Sequence, residues 1–153
     1  MPKETFFNLP EEKRNRLLSA AINAFSNAYY GDVSVDTIVH NAGIPKGSFY
    51  QYFHDKSDMY RYLIELAEER KLEGLKKVFS YIDRLDFSQF IRKLFLTGAR
   101  IDRDNPELAP LRNRFLFEVD DKMQKELLES SIQKSNRLIV SLLEEYRKRG
   151  EIR

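Results

Sequence analysis

Apolar side chains recur at intervals of three and four residues along almost all of the 153-residue chain. This spacing is the period of one face of an α-helix, whereas a half-buried strand alternates apolar and polar residues. No stretch shows that alternation in a context rich in Val, Ile and Thr. The clearest stripe lies in a helix predicted over residues 11–29 and consists of Leu17, Leu18, Ala21, Ile22, Phe25 and Ala28. The sequence therefore predicts an all-α fold.

Capping residues and helix breakers place two short helices after the first one. Ser34 is positioned to cap a helix over residues 35–41, and Gly43 suits the following tight turn because it tolerates a positive φ. Pro45 fits the first turn of a third helix that ends near Tyr52. Three helices of these lengths, with a short glycine-containing turn before the third, have the dimensions of a helix-turn-helix unit. In such a unit the third element enters the major groove of DNA.

The remainder of the chain is predicted to form a helical body. Asp55 and Asp58 are spaced as a capping box at the start of a long fourth helix. The inner face of that helix is predicted to extend to Ile82, and another helix follows Asp86. Pro106 is predicted to open a short helix, with a kink at Pro110 and a new helix over residues 111–118. The last helix is predicted over residues 121–149 and ends at Gly150. The sequence contains no internal repeat and no flexible linker.

Several functional classes are excluded by composition. No apolar run exceeds three residues, so nothing resembles a membrane span or a signal peptide, and we expect a cytoplasmic protein. The chain has no Cys, and His40 and His54 are far apart with no HExxH motif, so no metal site, catalytic residue or cofactor is predicted. The carboxylates form no convergent pair, so an enzyme is not expected.

The overall charge does not identify a partner. The chain has 26 basic and 24 acidic residues, for a formal net charge of +2, and residues 1–60 carry six basic against seven acidic side chains. Such a balance neither requires nor excludes a nucleic acid. The interpretation therefore depends on how side chains are arranged on the third predicted helix.

That helix is predicted to have one apolar and one polar face. Phe49 and Phe53 are four residues apart and fall on the side expected to pack against the first two helices. The outward positions are Lys46, Gly47, Ser48, Tyr50, Gln51 and Tyr52. Gly47 allows backbone N–H groups to approach phosphate oxygens, and Lys56 adds a second cation in the next helix. We expect phosphate contacts from most of this face, with base readout by Gln51, Lys46 and the corner at residues 34–36.

The segment from Ser34 to Lys56 resembles the N-terminal signature of the tetracycline-repressor (TetR) family of transcriptional regulators. The similarity is ungapped and extends over roughly residues 11–59. It implies a ligand-responsive homodimeric repressor that binds a palindromic operator on double-stranded DNA. By position, the family's DNA contacts would fall on Ser34, Val35, Lys46, Gly47, Ser48, Tyr50, Tyr52 and Lys56. Asp36 also points toward DNA, where its carboxylate either accepts from a cytosine amino group or repels phosphate; both readings stay open.

The resemblance also implies a division of the chain. A helix-turn-helix DNA-binding domain would occupy residues 1–56, and a helical domain for ligand binding and dimerisation would occupy residues 57–153. Aromatic side chains at helical spacing are more often core than pocket, but the resemblance suggests that some of them line a cavity for a small-molecule effector. The candidates are Phe79, Phe87, Phe90, Phe95 and Phe115. The chain stops before the two last helices with which the family builds its dimer, so we expect a truncated chain or a different dimer.

Two other classes of protein remain as alternatives. A helical protein-interaction module would use exposed Tyr and Phe side chains to bind a partner helix without any nucleic acid. A small all-α enzyme would need acid–base carboxylates, which the sequence does not group. The sequence therefore favours a sequence-specific DNA-binding transcriptional regulator.

Overall fold

The fold is described from a computed structural model, which covers residues 1–118 and 121–153. These residues form α-helices and one short 3-10 helix, and no strand occurs among them, which confirms the all-α prediction. The α-helices are α1 (Glu4–Phe7), α2 (Glu11–Asn27), α3 (Val35–Ala42), α4 (Lys46–Tyr52), α5 (Lys56–Phe79), α6 (Phe87–Asp104), α7 (Ala109–Glu118) and α8 (Asp121–Lys148). The 3-10 helix spans Ile82–Arg84. In the part of the chain described, no helix is both long and apolar enough to cross a bilayer.

The structure corrects several predicted helix ends. Helix α1 was not predicted, because four residues are too few to show a period. Pro45 is not the first residue of α4 but its N-cap, with an extended backbone at φ −62° and ψ 145°. The fourth predicted helix ends at Phe79, so Ile82 lies in the 3-10 helix that follows.

The region around the two later prolines also differs from the prediction. Pro106 opens a turn rather than a short helix, and α7 begins at Ala109. Pro110 therefore occupies the first turn of α7, where its missing N–H leaves no hydrogen bond unmade. The predicted end of the last helix is confirmed, since Gly150 follows α8 with φ +73°.

The chain divides into two compact units. The first consists of Met1–Ala67 and Pro106–Val119, and the second of Glu68–Asn105 and Asp120–Arg153. In the first unit α2 packs against both α3 and α7, while α4 contacts α1 and α3. Its largest fully buried side chains are Phe6, Leu17, Phe25, Ile38, Phe49, Phe53, Met59, Tyr60, Leu63 and Ile64.

Helix α7 and the turn before it are tied to the end of α2 by polar contacts as well as by packing. The Ser26 hydroxyl donates to the carbonyl of Glu107 at 2.6 Å. The Arg114 guanidinium donates to the carbonyl of Ala28 at 3.2 Å and lies 5.6 Å from the centroid of the Tyr29 ring. These contacts place a distant part of the sequence within the first unit.

The second unit has a core of its own. Val78, Phe90, Leu142 and Tyr146 are buried together. The Tyr146 hydroxyl donates to the Leu85 carbonyl at 3.2 Å, so the end of α8 is attached to the segment that precedes α6. Burial is the main reason that the pKa of Tyr146 is raised above its ordinary value of 10.0. Asp86 and Gln89 form a reciprocal capping box at the start of α6.

Candidate nucleic-acid interface

Local hydrogen bonds fix the turn between α3 and α4. The Ser34 hydroxyl accepts the N–H of Thr37 at 3.0 Å and thereby caps α3. Gly43 adopts φ +65° at the other end, and the N–H of Ile44 returns to the carbonyl of Val39 at 3.0 Å. The predicted cap and the predicted glycine turn are both confirmed. The turn therefore sets where α4 leaves α3.

Helix α4 has the predicted apolar face. Phe49 and Phe53 are fully buried, with ring centroids 5.6 Å apart. On the opposite face Lys46, Gly47, Tyr50 and Gln51 are exposed, and Ser48 is half-buried. At the neighbouring corner, Ser34 at the N-cap of α3 is exposed and Val35 is half-buried.

The prediction that Tyr52 faces outward is wrong. Its side chain is only 5% exposed, because positions 49, 52 and 53 lie at spacings of three and four and share one side of the helix. The ammonium of Lys13 lies 5.8 Å from the centroid of its ring. Tyr52 thus belongs to the packing of α4 rather than to its polar face.

The ammonium group of Lys56 is used inside the chain. It donates to the carbonyls of Tyr30 at 2.7 Å, Val33 at 2.8 Å and Gly31 at 3.4 Å, and lies 4.4 Å from the Tyr30 ring centroid. Burial lowers the pKa of Lys56 below its ordinary value of 10.5, and the charge of Asp32 acts in the opposite direction. Lys56 therefore ties the α2–α3 loop to the start of α5, whereas the sequence predicts that it adds a second cation beside the polar face of α4.

Lys46 at the start of α4 forms an ion pair with Asp36 in the first turn of α3. Its Nζ lies 2.8 Å from Oδ2 of Asp36, and both side chains are exposed. The hydrogen bond and the charge of Asp36 raise the pKa of Lys46 above 10.5. The cation at the tip of the polar face is thus held by a carboxylate on the neighbouring helix.

The N-terminal segment caps the end of α4, which the sequence did not predict. The backbone N–H of Lys3 donates to the carbonyl of Tyr52 at 2.8 Å, and its Nζ donates to that of Tyr50 at 2.7 Å. The Thr5 hydroxyl donates to the carbonyl of Gln51. The last carbonyls of a helix have no partner within it, so these three bonds satisfy groups that α4 cannot satisfy itself.

Aromatic packing anchors the same segment. Phe6 is fully buried, and its ring centroid lies 5.0 Å from that of Phe53 and 5.5 Å from that of Tyr62. The adjacent Phe6 and Phe7 were the sequence signal available for this contact, but two residues do not reveal a partner. The segment therefore positions the end of α4, in addition to the contacts that α4 makes with α3.

Helix α5 begins with the predicted cap at Asp55, whose carboxylate accepts the N–H of Asp58 at 2.7 Å. The reciprocal bond differs from the prediction. The buried carboxylate of Asp58 accepts the N–H of His54 at 3.1 Å and also pairs with the amine of Met1. Asp58 thus links the end of α4, the start of α5 and the N-terminal segment.

In the second unit a cavity of about 480 Å³ is lined mainly by apolar side chains. The lining residues are Leu72, Leu75, Lys76, Phe79, Leu94, Leu138 and Ile139. Of the five predicted pocket residues, Phe79 is the one found on this lining.

The other four predicted pocket residues lie elsewhere. Phe90 is fully buried in the core of the second unit and Phe87 packs against that core, whereas Phe95 is 76% exposed. Phe115 is buried in the first unit. These four side chains therefore do not line this cavity. Helical spacing shows which residues share a face but not what covers that face.

Comparison with known proteins adds an independent result. Residues 17–63 match the family described as bacterial regulatory proteins, tetR family. A TetR family transcriptional regulator from Chloroflexus aurantiacus is 36% identical in sequence and has a TM-score of 0.71, over 92% of this chain and 66% of that one. The chain belongs to the tetR family.

Two relatives of similar sequence were also found. The HTH-type transcriptional regulator YwcC of Bacillus subtilis is 31% identical over 99 residues, which are 65% of this chain and 42% of YwcC. The transcriptional regulator AcuR of Cereibacter sphaeroides is 43% identical over 101 residues, which are 66% of this chain and 35% of AcuR. The matched part of this tetR-family chain thus spans less than half the length of either relative.

The tetR-family match contains the whole of α3 and α4. It begins within α2 and ends within α5, so α1 lies outside it. The contacts of Lys3 and Phe6 with the end of α4 are therefore features of this chain that the family match does not describe.

Proposed function

We propose that this chain is a sequence-specific DNA-binding transcriptional regulator, a ligand-responsive repressor that binds a palindromic operator as a homodimer. The observation that supports this most directly is the geometry of α4. Its exposed side carries only polar, aromatic or glycine residues, while Phe49 and Phe53 are fully buried on the other side. A helix of seven residues is about 11 Å long, which is comparable with the width of the major groove, about 12 Å.

The proposed DNA contacts are those on the exposed side of this helix pair. Lys46, Ser48, Tyr50 and the backbone of Gly47 would bind phosphates, and Ser34 and Val35 at the start of α3 would lie beside them. Gln51 is the proposed base-reading residue, because an amide can both donate to and accept from an adenine edge. Tyr52 and Lys56 are proposed to act indirectly, through the position of α4 and of the α2–α3 loop.

The proposed division of labour places DNA binding in residues 1–56 and ligand binding with dimerisation in residues 57–153. The cavity of the second unit is suited to a small apolar effector, because six of its seven lining residues are apolar. Lys76 on the lining would favour an effector that also carries an anionic or hydrogen-bond-accepting group. The family consists of transcriptional regulators rather than enzymes, and an enzymatic activity is not proposed.

The test is a selection of binding sites from random duplexes with the full chain. A dimer of the proposed kind recovers a palindrome with half-sites one helical turn or a multiple apart. An electrophoretic shift of the recovered duplex, competed with unrelated duplex, then measures specificity. Failure to enrich any sequence with folded protein would contradict the proposal and favour the alternative of a protein-interaction module.

A further inference from the structure

Asp36 is an acidic residue that lies among the proposed DNA contacts, and its carboxylate pairs with Lys46, the basic residue of α4. Its Oδ2 atom lies 2.8 Å from Nζ of Lys46, and its side chain is 67% exposed. We propose that Asp36 is a specificity-determining residue whose carboxylate withholds the Lys46 ammonium from the phosphates of unrelated DNA. This inference rests on the proposed function. It attributes the discrimination between the cognate duplex and a random duplex to one ion pair.

The charges around α3 and α4 explain why the ion pair between Asp36 and Lys46 can affect DNA binding. Lys46 is the basic residue in the sequence of α4. The other Lys and Arg side chains of residues 1–60 have partners within the chain: Lys3 on the Tyr50 carbonyl, Lys13 at the Tyr52 ring, Arg14 on the Phe7 carbonyl, Arg16 near Glu12, and Lys56 on the carbonyls of residues 30, 31 and 33. Cations that neutralise phosphates supply essentially all non-specific DNA binding. Holding Lys46 on Asp36 therefore lowers the sequence-independent part of the affinity for DNA.

The same ion pair is easily opened where the DNA offers a better partner. Both side chains are exposed, and pairs of this kind are individually weak because solvent screens them. A carboxylate accepts a hydrogen bond from the amino group of cytosine but is repelled by phosphate. A site that presents cytosine to Asp36 therefore occupies the carboxylate and releases Lys46 to a phosphate. Any other site leaves a negative charge against the backbone, which penalises the wrong sequence.

Asp36→Asn in the full chain tests this, because it removes the charge and keeps the shape. Binding is measured by fluorescence anisotropy against a short random-sequence duplex and against the selected duplex, between about 50 and 200 mM salt. The variant is expected to bind the random duplex about 3- to 10-fold more tightly at the low-salt end, with a log–log salt slope steeper by about 1 per bound chain. The ratio of selected to random affinity is expected to fall.

A matched control exists in the second unit. Glu73 forms an exposed ion pair with Lys76, so Glu73→Gln makes the same change in net charge and also releases a lysine. It is expected to leave both DNA affinities unchanged. A further variant, Lys46→Gln, tests the coupling between the two residues. With Asp36 present, it should weaken binding to the random duplex only slightly. In combination with Asp36→Asn, it should abolish the gain in affinity that Asp36→Asn produces alone.

Each outcome decides between the two proposals. If the wild type binds its selected duplex but Asp36→Asn behaves like Glu73→Gln, the inference is overturned and the proposed function stands. If the double variant with Asp36→Asn and Lys46→Gln keeps the gain in affinity for the random duplex, Asp36 acts by its own charge. The proposal that it restrains Lys46 is then refuted. If neither wild type nor variant binds any duplex while circular dichroism shows folded helices, the proposed function fails and this inference fails with it.

Discussion

At the scale of single residues, Lys46 and Lys56 lie at the starts of consecutive helices, yet their ammonium groups have different surroundings. Lys46 meets an exposed carboxylate, whereas Lys56 is enclosed by three backbone carbonyls and an aromatic ring. A hydrogen bond to a charged group contributes more when its partners are partly buried than when water competes for them. The two lysines are therefore expected to differ in their effect on stability.

Lys56→Met keeps the aliphatic stem and removes the charge. We expect it to lower the free energy of unfolding by about 1–3 kcal/mol, because the carbonyls of the loop lose their donor. Lys46→Met, the matched control, is expected to change it by less than about 0.5 kcal/mol, since exposed ion pairs contribute little. Urea denaturation followed by circular dichroism measures both. Equal losses would show that Lys56 is solvated like an ordinary surface lysine.

Gly47→Ala separates stability from DNA binding. A Cβ added at Gly47 meets nothing within 4 Å, and the φ at this position is not positive. The helix should therefore become more stable, by up to about 1 kcal/mol. The added methyl group would stand between the backbone and a phosphate, so affinity for the selected duplex is expected to fall while the thermal midpoint rises. An unchanged affinity would remove the backbone of Gly47 from the proposed contacts.

At the scale of elements, the position of α4 depends on contacts with residues 46 and 47 positions earlier in the chain. Lys3 and Thr5 donate hydrogen bonds to the last carbonyls of α4, and the Phe6 ring packs against that of Phe53, the residue after α4. A seven-residue helix has little intrinsic stability, because nucleation costs several residues of order for one hydrogen bond. The orientation of α4 is therefore set by the two helices it contacts, α3 and α1.

Phe6 and Phe7 provide a matched pair of substitutions within α1. Phe6 is fully buried and Phe7 is 47% exposed. Phe6→Ala is expected to lower the free energy of unfolding by about 3 kcal/mol or more, as for other buried Phe residues, and Phe7→Ala by about 1 kcal/mol or less. Equilibrium denaturation of the two variants checks this. A small effect at Phe6 would mean that the N-terminal segment does not dock on α4 in solution.

The sequence predicted local features of these elements better than their partners. The stripe of α2, the cap at Ser34 and the turn at Gly43 depend on residues within one or two helical turns, so spacing and residue type were sufficient. The partner of Lys56 is the carbonyl of Tyr30, 26 residues away, and that of Lys3 is the carbonyl of Tyr50, 47 residues away. Such contacts depend on how helices pack, and no local pattern contains that information. The outward assignment of Tyr52 was wrong for a different reason, because position 52 shares the buried side of the helix with positions 49 and 53.

At the scale of the whole molecule, the charges are nearly balanced, with a formal net charge of +2. Because its charges are nearly balanced, such a protein gains little DNA affinity from counterion release unless individual Lys or Arg side chains contact phosphates. Hydrogen bonds from hydroxyl, amide and backbone groups on α4 are therefore expected to provide much of the affinity for the cognate site. Such bonds depend less on salt than cation–phosphate contacts do.

The salt dependence of binding checks this balance. For a dimer on its selected duplex we expect log K to fall with log salt at a slope of about −2 to −4, corresponding to one or two neutralised phosphates per chain. Titrations at a series of salt concentrations give the slope directly. A slope near −10 would indicate that many basic side chains leave their intramolecular partners on DNA, contrary to the contacts of Lys3, Arg14 and Lys56.

The inclusion of α7 in the first unit has a consequence for biosynthesis. Arg114 and the Ala28 carbonyl to which it donates are 86 residues apart in the chain. At a translation rate of about 5–20 residues per second, roughly 4–17 s pass between their emergence from the ribosome. During that interval the nascent α2 lacks the helix that covers part of it. A chaperone at the ribosomal exit would have an apolar site on this chain until Leu111 and Phe115 arrive to close it.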